Sequence, residues 1–111
     1  MGISALAVDP RTPNIVYLGS WGLFRSEDGG LTWVKKVKNN PAYTILFHPT
    51  VPGAIYAGFL DGCYRSLDGG LVWQSFKEAL GCTYVRWLDL DLTNNILFAA
   101  TAGGSVFKRQ L

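Results

Sequence analysis

SEDGGLTW occupies residues 26–33, and SLDGGLVW occupies residues 66–73, forty positions further on. Two octapeptides this alike mark a duplicated unit, and the length of the unit decides the architecture. Upstream, IVYLGSWGLFR (15–25) is answered by AIYAGFLDGCYR (54–65), and ALAVDPRTPN (5–14) by TILFHPTVPG (44–53). A third copy opens at YVRWLDLDLTNN (84–95), continues through ILFAATAGGSVFK (96–108) and ends at Leu111, where a third octapeptide would begin. Internal periods of about forty residues mean stacked supersecondary units, none able to bury its apolar faces alone.

Each unit reads as strands. In the first, runs rich in β-branched, aromatic and aliphatic residues cover 3–8, 15–19, 22–26 and 32–37. Turn chemistry separates them: Asp9-Pro10 with Pro13-Asn14, Ser20-Trp21-Gly22, Asp28-Gly29-Gly30, and Asn39-Asn40-Pro41. Four strands per forty residues is the arithmetic of a propeller blade. The expected fold is therefore all-β, a β-propeller with blades of four antiparallel strands, about 2.75 blades in this chain. It forms a single partial propeller domain over residues 1–111, with blade 1 at about 3–38, blade 2 at about 42–78 and an incomplete blade 3 at about 83–111. Only residues 75–80 offer a turn of helix.

Composition agrees. Apolar residues make up 49% of the chain, as sheets covered on both faces require, and the 13 glycines fall mostly in turns. A formal charge of +2 is too small, and Lys35, Lys36, Lys38 and Lys77 too scattered, for a nucleic-acid surface. Those lysines fit a charged outer edge that keeps exposed strands from pairing. No run of eighteen apolar residues encodes a membrane span. MGISALAV lacks the basic region and long apolar segment of a signal peptide.

The repeated octapeptide has a physical logic. Asp28 and Asp68 can accept hydrogen bonds from N–H groups of their own turns, Ser26 and Ser66 can hold the other side, and Gly30 and Gly70 allow positive φ. Trp33 and Trp73 fall on the outgoing strand as large apolar plates. A Ca²⁺ loop is the tempting alternative, but Glu27 with Asp28, or Asp68 alone, falls far short of six oxygens. A structural turn is expected, with no metal and no cofactor.

Other chemistry is sparse. Glycosidases need two carboxylates at a defined separation. Asp89 and Asp91 share one face of a strand, Asp9 begins an Asp-Pro turn, and Asp61 stands in another. His48 aligns with Asp9 before Pro49 and has no second ligand at metal spacing. Cys63 replaces Leu23 at an apolar strand position, and Cys82 replaces Pro41. Two thiols are expected rather than a disulfide, because the positions lie on non-adjacent strands of different units.

The octapeptides resemble the Asp-box, or BNR, repeat, Ser/Thr-x-Asp-x-Gly-x-Thr-Trp. Ser26, Asp28, Gly30, Thr32 and Trp33 match it fully; Ser66, Asp68, Gly70 and Trp73 match with Val72 in place of Thr. Proteins with such repeats include sialidases, xyloglucan-active glycoside hydrolases, sortilin-type receptors and photosystem assembly factors. The surrounding rhythm is most similar to bacterial xyloglucanase and sortilin-like repeats. The resemblance implies a secreted or periplasmic protein. It transfers no catalytic residue, because none is carried in the repeat pattern.

Strand direction puts the Asp-Pro turns and Asp turns on one face. The other face carries residues 20–22, 59–62 and 101–104, with the connections at 38–41 and 78–82. Loops on a rigid scaffold are where function concentrates. Trp21 and Phe59 stand at nearly corresponding places and offer a stacking surface, with Asp61 and Asn39 or Asn40 as polar partners. Their plainer role is to fill the gap between blades. Arg86 and Trp87 replace Ile45 and Leu46, so Arg86 either lines the central channel toward an anionic ligand or pairs with Asp89 or Asp91. The expected function is a non-catalytic module that binds a glycan or a protein on the loop face. The alternative is part of a glycoside hydrolase whose catalytic pair is completed elsewhere. The end blades need neighbours, either further blades of a larger propeller or a second copy, two copies giving six blades.

Overall fold

The computed structural model describes residues 2–76 and 84–111. Cys82, Lys77, the connection at 78–82 and most of the possible helical turn lie outside the described residues. The first sheet contains β1 (Ala5–Val8), β2 (Val16–Gly19), β3 (Leu23–Ser26) and β4 (Val34–Val37). The second contains β5 (Ala42–Phe47), β6 (Ile55–Phe59), β7 (Gly62–Ser66) and β8 (Gln74–Ser75). The third contains β9 (Val85–Asp91), β10 (Ile96–Thr101) and β11 (Val106–Gln110). Each sheet is an antiparallel meander in chain order, and no helix occurs among the described residues. The result is three consecutive blades of a β-propeller, the third with three strands.

Alternation along the strands builds two cores, one at each junction. Tyr17 and Leu23 of the first sheet meet Ile45, Phe47, Ile55, Ala57, Phe59, Tyr64 and Trp73 of the second. On the opposite side of the second sheet, Tyr56, Cys63 and Phe76 meet Val85, Leu88, Leu90, Leu97, Ala99 and Phe107 of the third. Period-two patterning thus makes the middle sheet apolar on both faces, and β6 is buried along its whole length. Small residues set the approach of the sheets. A Cβ on Gly19 would stand 2.7 Å from the Ala42 carbonyl oxygen, and one on Gly58 2.6 Å from Val85 Cγ1.

The ladders correct one expectation. Thr44 pairs with Gly58 and Ile45 with Ala57, with a bulge at Tyr43; Trp87 pairs with Ala100 and Leu88 with Ala99, with a bulge at Arg86. Arg86 therefore stands in the place of Tyr43, and Leu88 in the place of Ile45. The sequence alignment of the third unit was two residues out at this strand. The physical reason is length: residues 92–95 make a shorter connection than residues 48–54, and strand β9 is longer by one residue than β5.

Candidate functional site

One face of the molecule is occupied by the Asp turns. Ser26 Oγ donates to Asp28 Oδ1 at 2.7 Å and accepts from the Gly30 N–H at 2.9 Å. Asp28 Oδ1 also accepts from Leu31 N at 3.0 Å and Thr32 N at 2.9 Å, while Thr32 Oγ1 donates to Asp28 Oδ2. Ser66 and Asp68 repeat the pattern with Gly70, Leu71 and Val72, except for the missing hydroxyl at Val72. Gly29 and Gly30 have φ of 75° and 99°, and Gly69 and Gly70 have 78° and 91°, the left-handed region that the tight turn demands. Trp33 Nε1 donates to the Gly30 carbonyl at 3.0 Å, and Trp73 Nε1 to that of Gly70 at 2.9 Å. These bonds hold the Asp28 carboxyl well below the usual carboxylate range, with the Thr32 hydroxyl the largest cause. Asp68 is lowered mainly by the Val72 N–H. Both Asp28 oxygens are already engaged in closing the turn.

The opposite face is tied together through its backbone. Asn40 N donates to the Trp21 carbonyl, Leu60 N to that of Pro41, and Tyr84 N to that of Leu60. The loops of three successive sheets thus form one continuous rim. On it, the Trp21 side chain is 56% exposed. Asn40 Nδ2 donates to Asp61 Oδ1 at 2.7 Å, and the Tyr64 hydroxyl donates to Asp61 Oδ2 at 3.1 Å. Burial raises the Tyr64 pKa, and the Asp61 charge adds to it. Trp21, Asn40 and Asp61 are therefore neighbours.

Phe59 does not join them. It is fully buried, and its ring meets Tyr64 edge-on at 4.7 Å. Phe59 shares the inward parity of Ile55 and Ala57 and fills the junction with the first sheet. By register its counterpart is Ser20, one past Gly19, and the counterpart of Trp21 is Leu60.

Two residues that the sequence did not single out complete the face. Tyr43 and Tyr84 stack with ring centroids 5.1 Å apart and planes 14° from parallel. The Arg86 guanidinium lies 5.0 Å from the Tyr43 ring centre and 5.8 Å from that of Tyr84. Among the described residues it makes no ion pair with Asp89 or Asp91, so stacking alone positions it. Tyr84 has φ of 54°, a costly value for an aromatic residue. Tyr43 lies within β5 and Tyr84 just before β9, at positions that do not correspond in register, so no repeat signal marks the pair. Beside it, Tyr43, Ile45, Leu6, Trp87 and Asp89 border an open groove of about 460 Å³ across the innermost strands.

Asp9 and Asp91 serve turns: Asp9 Oδ1 accepts from Arg11 N, and Asp91 accepts from Thr93 N and Asn94, while Asp89 inside β9 accepts from Leu90 N and Glu27 pairs with Arg25. His48, 4% exposed, also serves a turn: its Nδ1 accepts from Thr50 N at 3.2 Å and Val51 N at 3.1 Å. Cys63 is fully buried between the second and third sheets. Among the described residues, no three His, Cys, Asp or Glu side chains gather as a metal cluster would require.

No family model matches the chain. The xyloglucanase Xgh74A of Acetivibrio thermocellus is 32% identical to it over a match that covers 63% of this chain and 12% of the relative. Among solved structures, an ancestral GH74 enzyme superposes with a TM-score of 0.79 at 22% identity, covering 97% of this chain and 17% of that one. YCF48 bound to D1 peptide superposes with a TM-score of 0.69 at 17% identity, covering 97% of this chain and 36% of the other. The chain spans only 12% of the length of the curated relative it matches. It has the fold of a β-propeller, and over part of its length its sequence is similar to that of a xyloglucanase.

Proposed function

We propose that this chain is an Asp-box propeller module that binds a carbohydrate, without catalysis of its own, on the loop face opposite the Asp turns. The observation that carries this reading is the rim on which exposed Trp21, the Asn40–Asp61 pair and the stacked guanidinium of Arg86 are joined through successive backbone hydrogen bonds. A flat apolar plate, a carboxylate acceptor and unpaired N–H donors are the groups that read a sugar ring and its hydroxyls. The relative's name points to xyloglucan as the first ligand to try.

A second reading, part of a glycoside hydrolase whose acid–base pair is completed elsewhere, is favoured by the 32% identity to Xgh74A. Calorimetry and reducing-end assays with xyloglucan oligosaccharides separate the two. Binding without turnover, weakened about tenfold or more by Trp21→Ala and by Arg86→Ala, supports the module. Turnover supports the hydrolase. Binding of an extended peptide in place of every glycan tested would move the same rim to protein recognition and overturn the carbohydrate reading.

A further inference from the structure

The rim carries more hydrogen-bond donors than acceptors to match them. Asp61 is the one carboxylate among its described residues. Both of its oxygens already accept, from Asn40 Nδ2 at 2.7 Å and from the Tyr64 hydroxyl at 3.1 Å. Arg86 is in the opposite state. Its guanidinium meets the rings of Tyr43 and Tyr84, but among the described residues it has no carboxylate, carbonyl or hydroxyl to donate to.

Stacking fixes where that cation lies. It sits 5.0 Å from the ring centre of Tyr43, a residue of the second sheet, so it leans over the junction between the second and third sheets. The partner ring is held by backbone strain. Tyr84 keeps its φ of 54° because its N–H donates to the Leu60 carbonyl and its own carbonyl accepts from Ala102 N. The Tyr84 ring is thereby placed nearly parallel to that of Tyr43, and the two rings together seat the guanidinium. A stacked arginine has less freedom to lose on taking a ligand, and this one keeps all five N–H donors for it.

We propose that Arg86 takes the carboxylate of an acidic sugar, so that the glycan read by this rim carries uronic acid residues. The inference rests on the carbohydrate reading of the rim and narrows it to a charged class. A neutral sugar offers the guanidinium only hydroxyls, one bond at a time, and leaves its charge unmatched. A carboxylate accepts two parallel N–H···O bonds from the planar fork and neutralises it. Exposed Trp21, on the same rim, is the plate for a further ring of the same saccharide chain. With both oxygens of Asp61 engaged, the carboxylate of the rim does not oppose that of the ligand at close range without compensation.

Calorimetry of the 111-residue chain with an oligogalacturonate, its methyl ester, a sulfated galactan oligosaccharide and a neutral xyloglucan oligosaccharide is the test. The acid should bind about tenfold more tightly than its ester at low salt, and the gap should narrow as salt is raised. Arg86 is exposed, so Arg86→Ala and Arg86→Lys should keep the fold by circular dichroism. The alanine variant should bind acid and ester alike. The lysine variant, which keeps the charge and loses the fork, should retain only part of the gap. Equal binding of acid and ester by the wild type overturns the proposal and leaves the carbohydrate reading standing. A gap that survives Arg86→Ala overturns it as well, because the charge is then read elsewhere. The sulfated chain bound more tightly than the galacturonate would replace the carboxylate by a sulfate ester. Binding of none of the four removes the carbohydrate reading together with this one.

Discussion

The Tyr17 hydroxyl donates a hydrogen bond to the Gly69 carbonyl at 2.8 Å, so a side chain of the first sheet closes the Asp turn of the second. The same oxygen accepts from Arg25 Nε at 3.1 Å. Tyr17 is fully buried, with Phe47 and Trp73 edge-on at 5.7 and 6.1 Å. Burial raises its pKa, and the bond to Arg25 offsets part of the rise. Tyr17→Phe leaves a carbonyl and a guanidinium N–H without partners and should cost about 1–3 kcal/mol in urea unfolding.

The glycine beneath that hydroxyl separates space from backbone conformation. Gly70→Ala places a methyl group on Tyr17 at a φ of 91° and should cost on the order of 3 kcal/mol or more. Gly29→Ala has a comparable φ of 75° but open space, and should cost only about 1–2 kcal/mol. Equal losses in the two variants would show that the socket contributes nothing.

Acid should act through the turns. Asp28, Asp68 and Asp91 have folded-state pKa values below their unfolded ones. The stability they contribute is therefore complete above about pH 4, the unfolded carboxylate range, and disappears as pH falls through the lower folded values. Asp28→Asn should flatten the acid limb of a stability–pH curve relative to wild type. Thr32→Val, which removes from the first Asp turn the hydroxyl that the second lacks, should flatten the limb too, but less than Asp28→Asn. Superimposable limbs for all three proteins would contradict this account.

Phe59 and Trp21 should part company. Phe59→Ala empties a fully buried site and should cost about 3–5 kcal/mol, while Trp21→Ala, at an exposed rim position, should change stability by about 0.5 kcal/mol or less. Thermal unfolding of both variants checks the assignment of one aromatic to the core and the other to the surface.

His48 should tolerate only a replacement that keeps an acceptor. His48→Asn can still accept from the Thr50 and Val51 N–H groups, whereas His48→Leu leaves both unpaired in a buried place. The difference between the two variants should be about 2 kcal/mol or more. A leucine variant as stable as the asparagine one would mean that those N–H groups reach water.

The repeat made the blades legible, because Asp28 and Asp68 close the same turn by local hydrogen bonds that any copy of the octapeptide must make. The two loop faces also followed from strand direction, and the loops that carry Trp21 and Asp61 lie opposite the Asp turns. For Phe59 the plainer of the two roles offered by the sequence, filling the gap between blades, is the one its parity with Ile55 and Ala57 gives it. Two features were not legible. Arg86 was misplaced because the connection at residues 92–95 is shorter than that at residues 48–54, and matching residue types cannot see the difference. The Tyr43–Tyr84 stack joins residues 41 positions apart in separate sheets, and only the angle between sheets brings them together.

The bonds within the Asp turn join residues two to four positions apart, whereas the bond from Tyr17 to Gly69 spans 52. Closing a short loop takes far less chain entropy than closing a long one, so the hairpins should form early and the latch between sheets late. The two kinds of contact then govern opposite halves of the kinetics. Ser26→Ala should slow folding, and Tyr17→Phe should leave folding nearly unchanged while it speeds unfolding. The lifetime of the assembled molecule is thus set by the tyrosine that reaches across, and the speed of its birth by the serine that reaches back.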